Sequence, residues 1–249
     1  ILPGASLVSD PVSMTVPALS QLAVSLFVPG PAPVASFHWD GRQTSWIVEG
    51  DQTAAQQLRI QKPETQSTTA RPWLGGIQVE PERPARAVAV LGDSITDGAT
   101  ASLDKDTRWP DLLAARLAPH GVSVINAGIS GARLLADGMG VNALARLDRD
   151  VLSQPGVRSV IVLLGINDIS WAGTAFGRDA QRPTFAALTA GYRQLITQAH
   201  SRGVRVIGGT LTPFEGALPG TTLDDYYQPD KNALREQVNE WIRHSGAFD

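Results

Sequence analysis

The stretch Ala87-Val88-Ala89-Val90-Leu91-Gly92-Asp93-Ser94-Ile95-Thr96-Asp97-Gly98 decides the fold. Residues 87 to 91 are apolar with no polar alternation, the pattern of a strand buried on both faces of a parallel sheet. Gly92 ends the run. Asp93, Ser94, Thr96 and Asp97 are helix-capping residue types, so the strand is predicted to hand over to a helix N-terminus within a few residues. A serine at that junction stands at the carboxyl end of a central strand, where open α/β sheets hold their ligands and helix N–H groups point outward. Ser94 then has two readings. It is a nucleophile for acyl transfer, whose oxyanion needs donors beside the attacking oxygen, or it is only an N-cap.

Outward from this stretch, apolar strands alternate with amphipathic segments. Trp109 to Ala118 reads as a helix, Val122 to Ile125 as a strand, Asn142 to Ser153 as a helix and Val157 to Leu164 as the most apolar strand. Phe185 to Ser201 is a long helix closed by Gly203, Val204 to Thr210 a strand, and Lys231 to His244 a last helix. The alternation predicts a doubly wound parallel sheet with right-handed crossovers. Upstream the texture differs. Residues 1 to 80 lack helical periodicity and read as part of a β-sandwich, with strands at Leu19 to Val28, Ser45 to Val48, Gln57 to Ile60 and Leu74 to Val79. Trp39, Trp46 and Trp73 there are either core or a carbohydrate-stacking platform. A proline-rich linker at 81–85 divides this region from a second domain over 86–249.

Composition narrows the function. The 249 residues carry a formal net charge of −3, mostly arginine on the basic side, and show no basic stripe of the kind that neutralises nucleic-acid phosphates. No apolar run approaches the ~18 residues of a membrane span. The absence of cysteine excludes disulfides, thiolate metal sites and thiol catalysis. An Asp-x-Asp phosphate-transfer pair is excluded at Asp93, because the residue two further on is Ile95. The chain opens at Ile1 without a targeting signal, and both termini read as cut ends.

Three predicted strand ends carry small or polar residues: Ser94, Gly128 and Asn167. Each suits ester hydrolysis. Ser94 attacks the carbonyl, while the N–H groups of Ser94 and Gly128 and the carboxamide of Asn167 offer three donors to the tetrahedral oxyanion. Asp93 and Asp168 read as braces of their turns. Tyr226 and Tyr227 either contact an acyl or sugar group or staple the start of the final helix. The motif around the serine is not the Gly-x-Ser-x-Gly elbow. Instead Gly92-Asp93-Ser94-Ile95-Thr96, Asn126-Ala127-Gly128-Ile129-Ser130-Gly131 and Gly165-Ile166-Asn167-Asp168 resemble, in order, the first three sequence blocks of the SGNH (GDSL-type) esterase and lipase family. The resemblance spans about residues 86 to 249. It implies a flavodoxin-like three-layer α/β/α fold, no cofactor, a small-molecule or glycan ester as substrate, an acyl-enzyme on Ser94 and the oxyanion donors named above. The β-rich first third is similar to the accessory domain of one bacterial branch of the family, and export is expected from those relatives alone. Ala132 stands where close relatives carry a polar residue.

One block of the family pattern has no counterpart. The Asp-x-x-His pair that supplies the general base and its orienting acid does not occur in these 249 residues, and the expectation is that it follows Asp249. Four histidines are present. His120, His200 and His244 sit at helix ends that precede strands or the terminus, at the amino edge of the sheet, whereas proton transfer requires ~3 Å or one bridging water. His38 falls in the β-region. A catalytically silent domain that uses the same cleft, or the tryptophans, to hold a glycan or partner is the competing reading.

Overall fold

The structure, a computed structural model, describes residues 5–34, 37–58 and 65–249. It divides into two compact units, one reaching to Arg83 and including Thr100–Thr107, the other made of Pro84–Ala99 and Arg108–Asp249.

Among the described residues the first unit holds four short strands, β1 (Phe37–His38), β2 (Ser45–Ile47), β3 (Gln66–Thr68) and β4 (Arg71–Pro72). They form two antiparallel pairs, β1 with β4 and β2 with β3. Of the three expected strands that lie wholly within the described residues, only Ser45 to Val48 forms. Leu19 to Val28 and Leu74 to Val79 run as irregular chain, and of Gln57 to Ile60 the last two residues lie outside the described residues. A strand persists only where a neighbour takes its hydrogen bonds and a second layer covers its apolar face. Leu26, Phe27, Ile77 and Val79 have neither and stay exposed. Of the partial β-sandwich in the sequence reading, the described residues show two small ladders. Trp39, Trp46 and Trp73 are all exposed. Thr100–Thr107 is stitched into this unit by the Thr44 N–H and hydroxyl donating to Asp104 (2.6 and 2.7 Å), Gln43 Nε2 to Asp106 (2.6 Å) and Arg42 Nε to the Ala101 carbonyl (2.7 Å).

The second unit is built on β5 (Arg86–Gly92), β6 (Val122–Gly128), β7 (Val157–Leu163) and β8 (Arg205–Gly208), all parallel, in the order β6-β5-β7-β8. The helices are α1 (Ser94–Asp97), α2 (Trp109–Leu117), α3 (Ala143–Leu147), α4 (Ile166–Ser170), α5 (Phe185–Ser201) and α6 (Pro229–His244). This is the doubly wound sheet that the alternating pattern predicts. β5 lies between two strands, which is why Ala89, Val90 and Leu91 are wholly buried and why none of its central residues is polar. Val151, Val160, Leu188, Leu195, Val206 and Val238 belong to the same core. The predicted helix Asn142 to Ser153 splits into α3 and a wider π-type turn over Asp148–Leu152. After α6, the Asp249 N–H donates to the Val206 carbonyl (2.9 Å) and the Phe248 ring lies against Gly208, the start of backbone pairing along the outer edge of β8.

Candidate active site

Register sets the three loop starts side by side: Gly92 pairs with Gly128 on one flank and with Leu163 on the other. The loops after β5, β6 and β7 therefore leave the sheet at one level, from strands ~4.8 Å apart.

Ser94 is the first residue of α1. Asp93 is its N-cap, accepting the Ile95 N–H on Oδ1 (3.0 Å), and Gly98 closes the helix in a left-handed conformation (φ 94°). So short a helix is held by its surroundings. Asn126 Nδ2 donates to the Thr96 carbonyl (2.8 Å), and the buried Asp97 accepts the Ser130 N–H (3.0 Å) and hydroxyl (2.6 Å) on Oδ2. From below, the fully buried Arg146 donates to the carbonyls of Gly92 (3.2 Å) and Ala127 (2.7 Å), tying the ends of β5 and β6 together, and its charge is met by Asp150 (3.0 Å). The sequence reading missed this arginine. Within a helical stretch it looks solvated, and only the crossover places it beneath two strand ends. Ser94 itself is half-buried, and neither its hydroxyl nor its N–H has a hydrogen-bond partner among the described residues.

Gly128 is placed differently from its expected role. Its N–H donates to Asn126 Oδ1 (2.9 Å), and a Cβ there would lie 2.3 Å from the Asp97 backbone nitrogen. Glycine is required at this position so that α1 can pack on the strand end, and its N–H is already engaged. Three residues on, Gly131 turns the chain with φ 76°, and its N–H has no partner among the described residues. It adjoins Ala132, whose carbonyl accepts from Asn167 Nδ2 (3.0 Å). The signal available in the sequence was the second glycine of Asn-Ala-Gly-Ile-Ser-Gly, since a turn that needs a positive φ selects glycine.

Asn167 is buried on α4, its Nδ2 donating to Ala132 and its Oδ1 accepting the Tyr226 hydroxyl (2.8 Å). Asp168 accepts the Leu134 (2.7 Å) and Leu135 (2.9 Å) N–H groups, which fastens the loop after β6 to α4. Burial raises the Asp168 carboxyl to about 6 against the pull of those two bonds. Asp93 is raised to about 6 as well, by burial first and then by the negative charges of Asp168 and Asp97; its Oδ2 is buried with no partner among the described residues. Tyr226 is buried, edge-on to Phe214, and its hydroxyl faces Asn167 rather than open space. Tyr227 is half-buried and also meets Phe214 edge-on. Arg133 stacks over Trp171, and both lie close to Gly131 or Gly138 at one end of this site.

The three histidines of the second unit lie elsewhere. His120 ends the 3-10 turn that leads into β6, so the seven residues of that strand, ~23 Å, separate it from Gly128. His200 bonds Asp249 (2.8 Å), His244 faces Glu240 (3.4 Å), and His38 belongs to the first unit. Among the described residues no group of three or more His, Cys, Asp or Glu side chains is arranged to hold a metal ion. No helix there is long and apolar enough to cross a membrane.

The family profile of GDSL-like lipases/acylhydrolases matches residues 90–249, well over half of the chain. The chain belongs to the GDSL-like lipase/acylhydrolase family. Hydrolysis of acyl esters is the general chemistry of that family, and the resemblance read from the three sequence blocks is thereby confirmed. Among solved structures, the aryl esterase of M. smegmatis is similar at 21% identity over 66% of this chain and 82% of that one, with a TM-score of 0.51. AlinE4, an SGNH-hydrolase family esterase, is similar at 24% identity over 64% and 75% (TM-score 0.41). The acetyl xylan esterase AlAXEase is similar at 21% identity over 66% and 75% (TM-score 0.46). The likeness to the aryl esterase is one of fold, and it agrees with the parallel sheet of this GDSL-like chain. Comparison with curated protein sequences gave no match.

Proposed function

We propose that this chain carries the nucleophile and oxyanion site of a serine esterase acting on carboxylic acyl esters. Ser94 Oγ attacks the ester carbonyl carbon, its proton leaves to a base, the C–O bond to the alcohol breaks, and water then releases the acid from the acyl-enzyme. The oxyanion is received by the Ser94 N–H, the second N–H of Asn167 Nδ2 and the Gly131 N–H, which takes the part first given to Gly128. The observation that carries this reading is the coincidence of unspent donors with an unspent hydroxyl. Where three strand ends lie in register, Ser94 and Gly131 have N–H groups without partners, and Asn167 has one of its two amide protons uncommitted. Donors left without protein partners at one rim suit a ligand oxygen. Tyr227, half-exposed above Phe214, is proposed to contact the substrate.

The base is proposed to be a histidine outside these 249 residues, as the family's Asp-x-x-His pair implies. Hydrolysis of a short-chain p-nitrophenyl ester by the parent and by Ser94→Ala tests the reading. The serine variant is expected to lose at least ~10³-fold in kcat/KM, in line with loss of a nucleophile in serine hydrolases. Equal rates in the two proteins would rule the serine out.

A further inference from the structure

We infer that Tyr226 is a positioning residue for the oxyanion site, acting through Asn167. The inference rests on the serine-esterase reading and extends it to the far side of the carboxamide. The orientation of Asn167 follows from chemistry. The Ala132 carbonyl can only accept, so the atom 3.0 Å from it is Nδ2; the atom 2.8 Å from the Tyr226 hydroxyl is then Oδ1, and the tyrosine donates. With Oδ1 held, the carboxamide plane is fixed, and the remaining N–H of Nδ2 has a single direction left to it.

The bond also acts on charge. A donor on Oδ1 draws electron density from the amide and sharpens its N–H as a donor, as in other hydrogen-bond chains. When an oxyanion forms against Nδ2, charge shifts toward Oδ1 and the tyrosine bond tightens. The contribution is therefore larger in the transition state than with bound ester, which raises kcat and leaves KM nearly alone.

The surroundings are arranged for that task. Burial and the negative charge of Asp93 push the Tyr226 phenol above its ordinary ionisation range, so it stays a donor. Phe214 packs edge-on against the Tyr226 ring (5.8 Å between centroids), and the Tyr226 N–H donates to the Leu223 carbonyl (2.8 Å). The buried Lys231 bridges the Asp225 carbonyl (2.6 Å) and the Ser170 carbonyl (2.8 Å), binding the residue before the tyrosine to the end of α4, three positions past Asn167.

The test is a double-mutant cycle on ester hydrolysis with Tyr226→Phe, Asn167→Ala and the pair. Tyr226→Phe is expected to lower kcat about tenfold with KM within about twofold, and to add nothing once Asn167 is alanine. An unchanged kcat, a loss carried by KM, or a loss that multiplies with that of Asn167→Ala overturns the inference. An activity-independent reading uses the Asn167 side-chain NH2 signals in 1H–15N spectra, which should move on Tyr226→Phe; signals that stay fixed also overturn it. Failure of the esterase reading shows separately, as equal hydrolysis by parent and Ser94→Ala, with the amide signals still reporting on the tyrosine.

Discussion

The two units both carry large apolar residues, with opposite outcomes. Val90 and Leu91 in β5 are wholly buried, while Leu26 and Ile77 in the first unit, no less apolar, are 57% and 52% exposed. The difference lies in neighbours. β5 has a parallel strand on each side and is buried on both faces; the first unit's ladders are two and three residues long and offer no face to cover. Apolar residues order a chain only where other elements meet them, and the second unit alone has a broad core among the described residues.

Substitutions can break or sharpen this contrast. Leu91→Ala is expected to cost about 3 kcal/mol in urea unfolding, because its cavity opens inside a packed sheet. Gly128→Ala should cost at least about 2 kcal/mol, since the new methyl meets the Asp97 backbone rather than a side chain that can yield. The same change at Gly75, where nothing lies within 4 Å of an added Cβ, should be neutral. A pH-dependent effect is expected at Asp93. Its carboxyl is raised from 3.8 to about 6 in the fold, so it favours folding below pH 4 relative to neutral pH and loses that contribution as pH rises from about 4 to 6. Asp93→Asn keeps the cap but removes the buried charge. Relative to the parent it should gain on the order of 2 kcal/mol between pH 4 and pH 7, read from urea midpoints at the two values. Ile77→Ala and Leu26→Ala should likewise fall within about 0.5 kcal/mol of the parent. A cost near that of Leu91→Ala would mean that these residues are covered after all.

The same contrast explains what could be read in advance. The strand Ala87 to Leu91 and the loop starts at Ser94, Gly128 and Asn167 were legible because a strand buried on both faces writes an unbroken apolar run and ends in capping residues. The first unit was over-read, since β-like residues at Leu19 to Val28 carry no record of whether a partner strand exists. At the site, three features escaped, two of them because they depend on contacts across long separations. Arg146 reaches the Gly92 carbonyl 54 positions away, and Tyr226 reaches Asn167 across 59. The engagement of the Gly128 N–H by Asn126 is local, but a sequence does not show which of two nearby glycines keeps its N–H free.

The central claim is that the hydroxyl at the end of β5 is the nucleophile, and a fluorophosphonate probe tests it most directly. Mass spectrometry of the labelled protein should find a single adduct on the peptide containing Ser94, absent from Ser94→Ala. An adduct on another residue, or a protein that hydrolyses esters yet never takes the label at Ser94, would contradict the account.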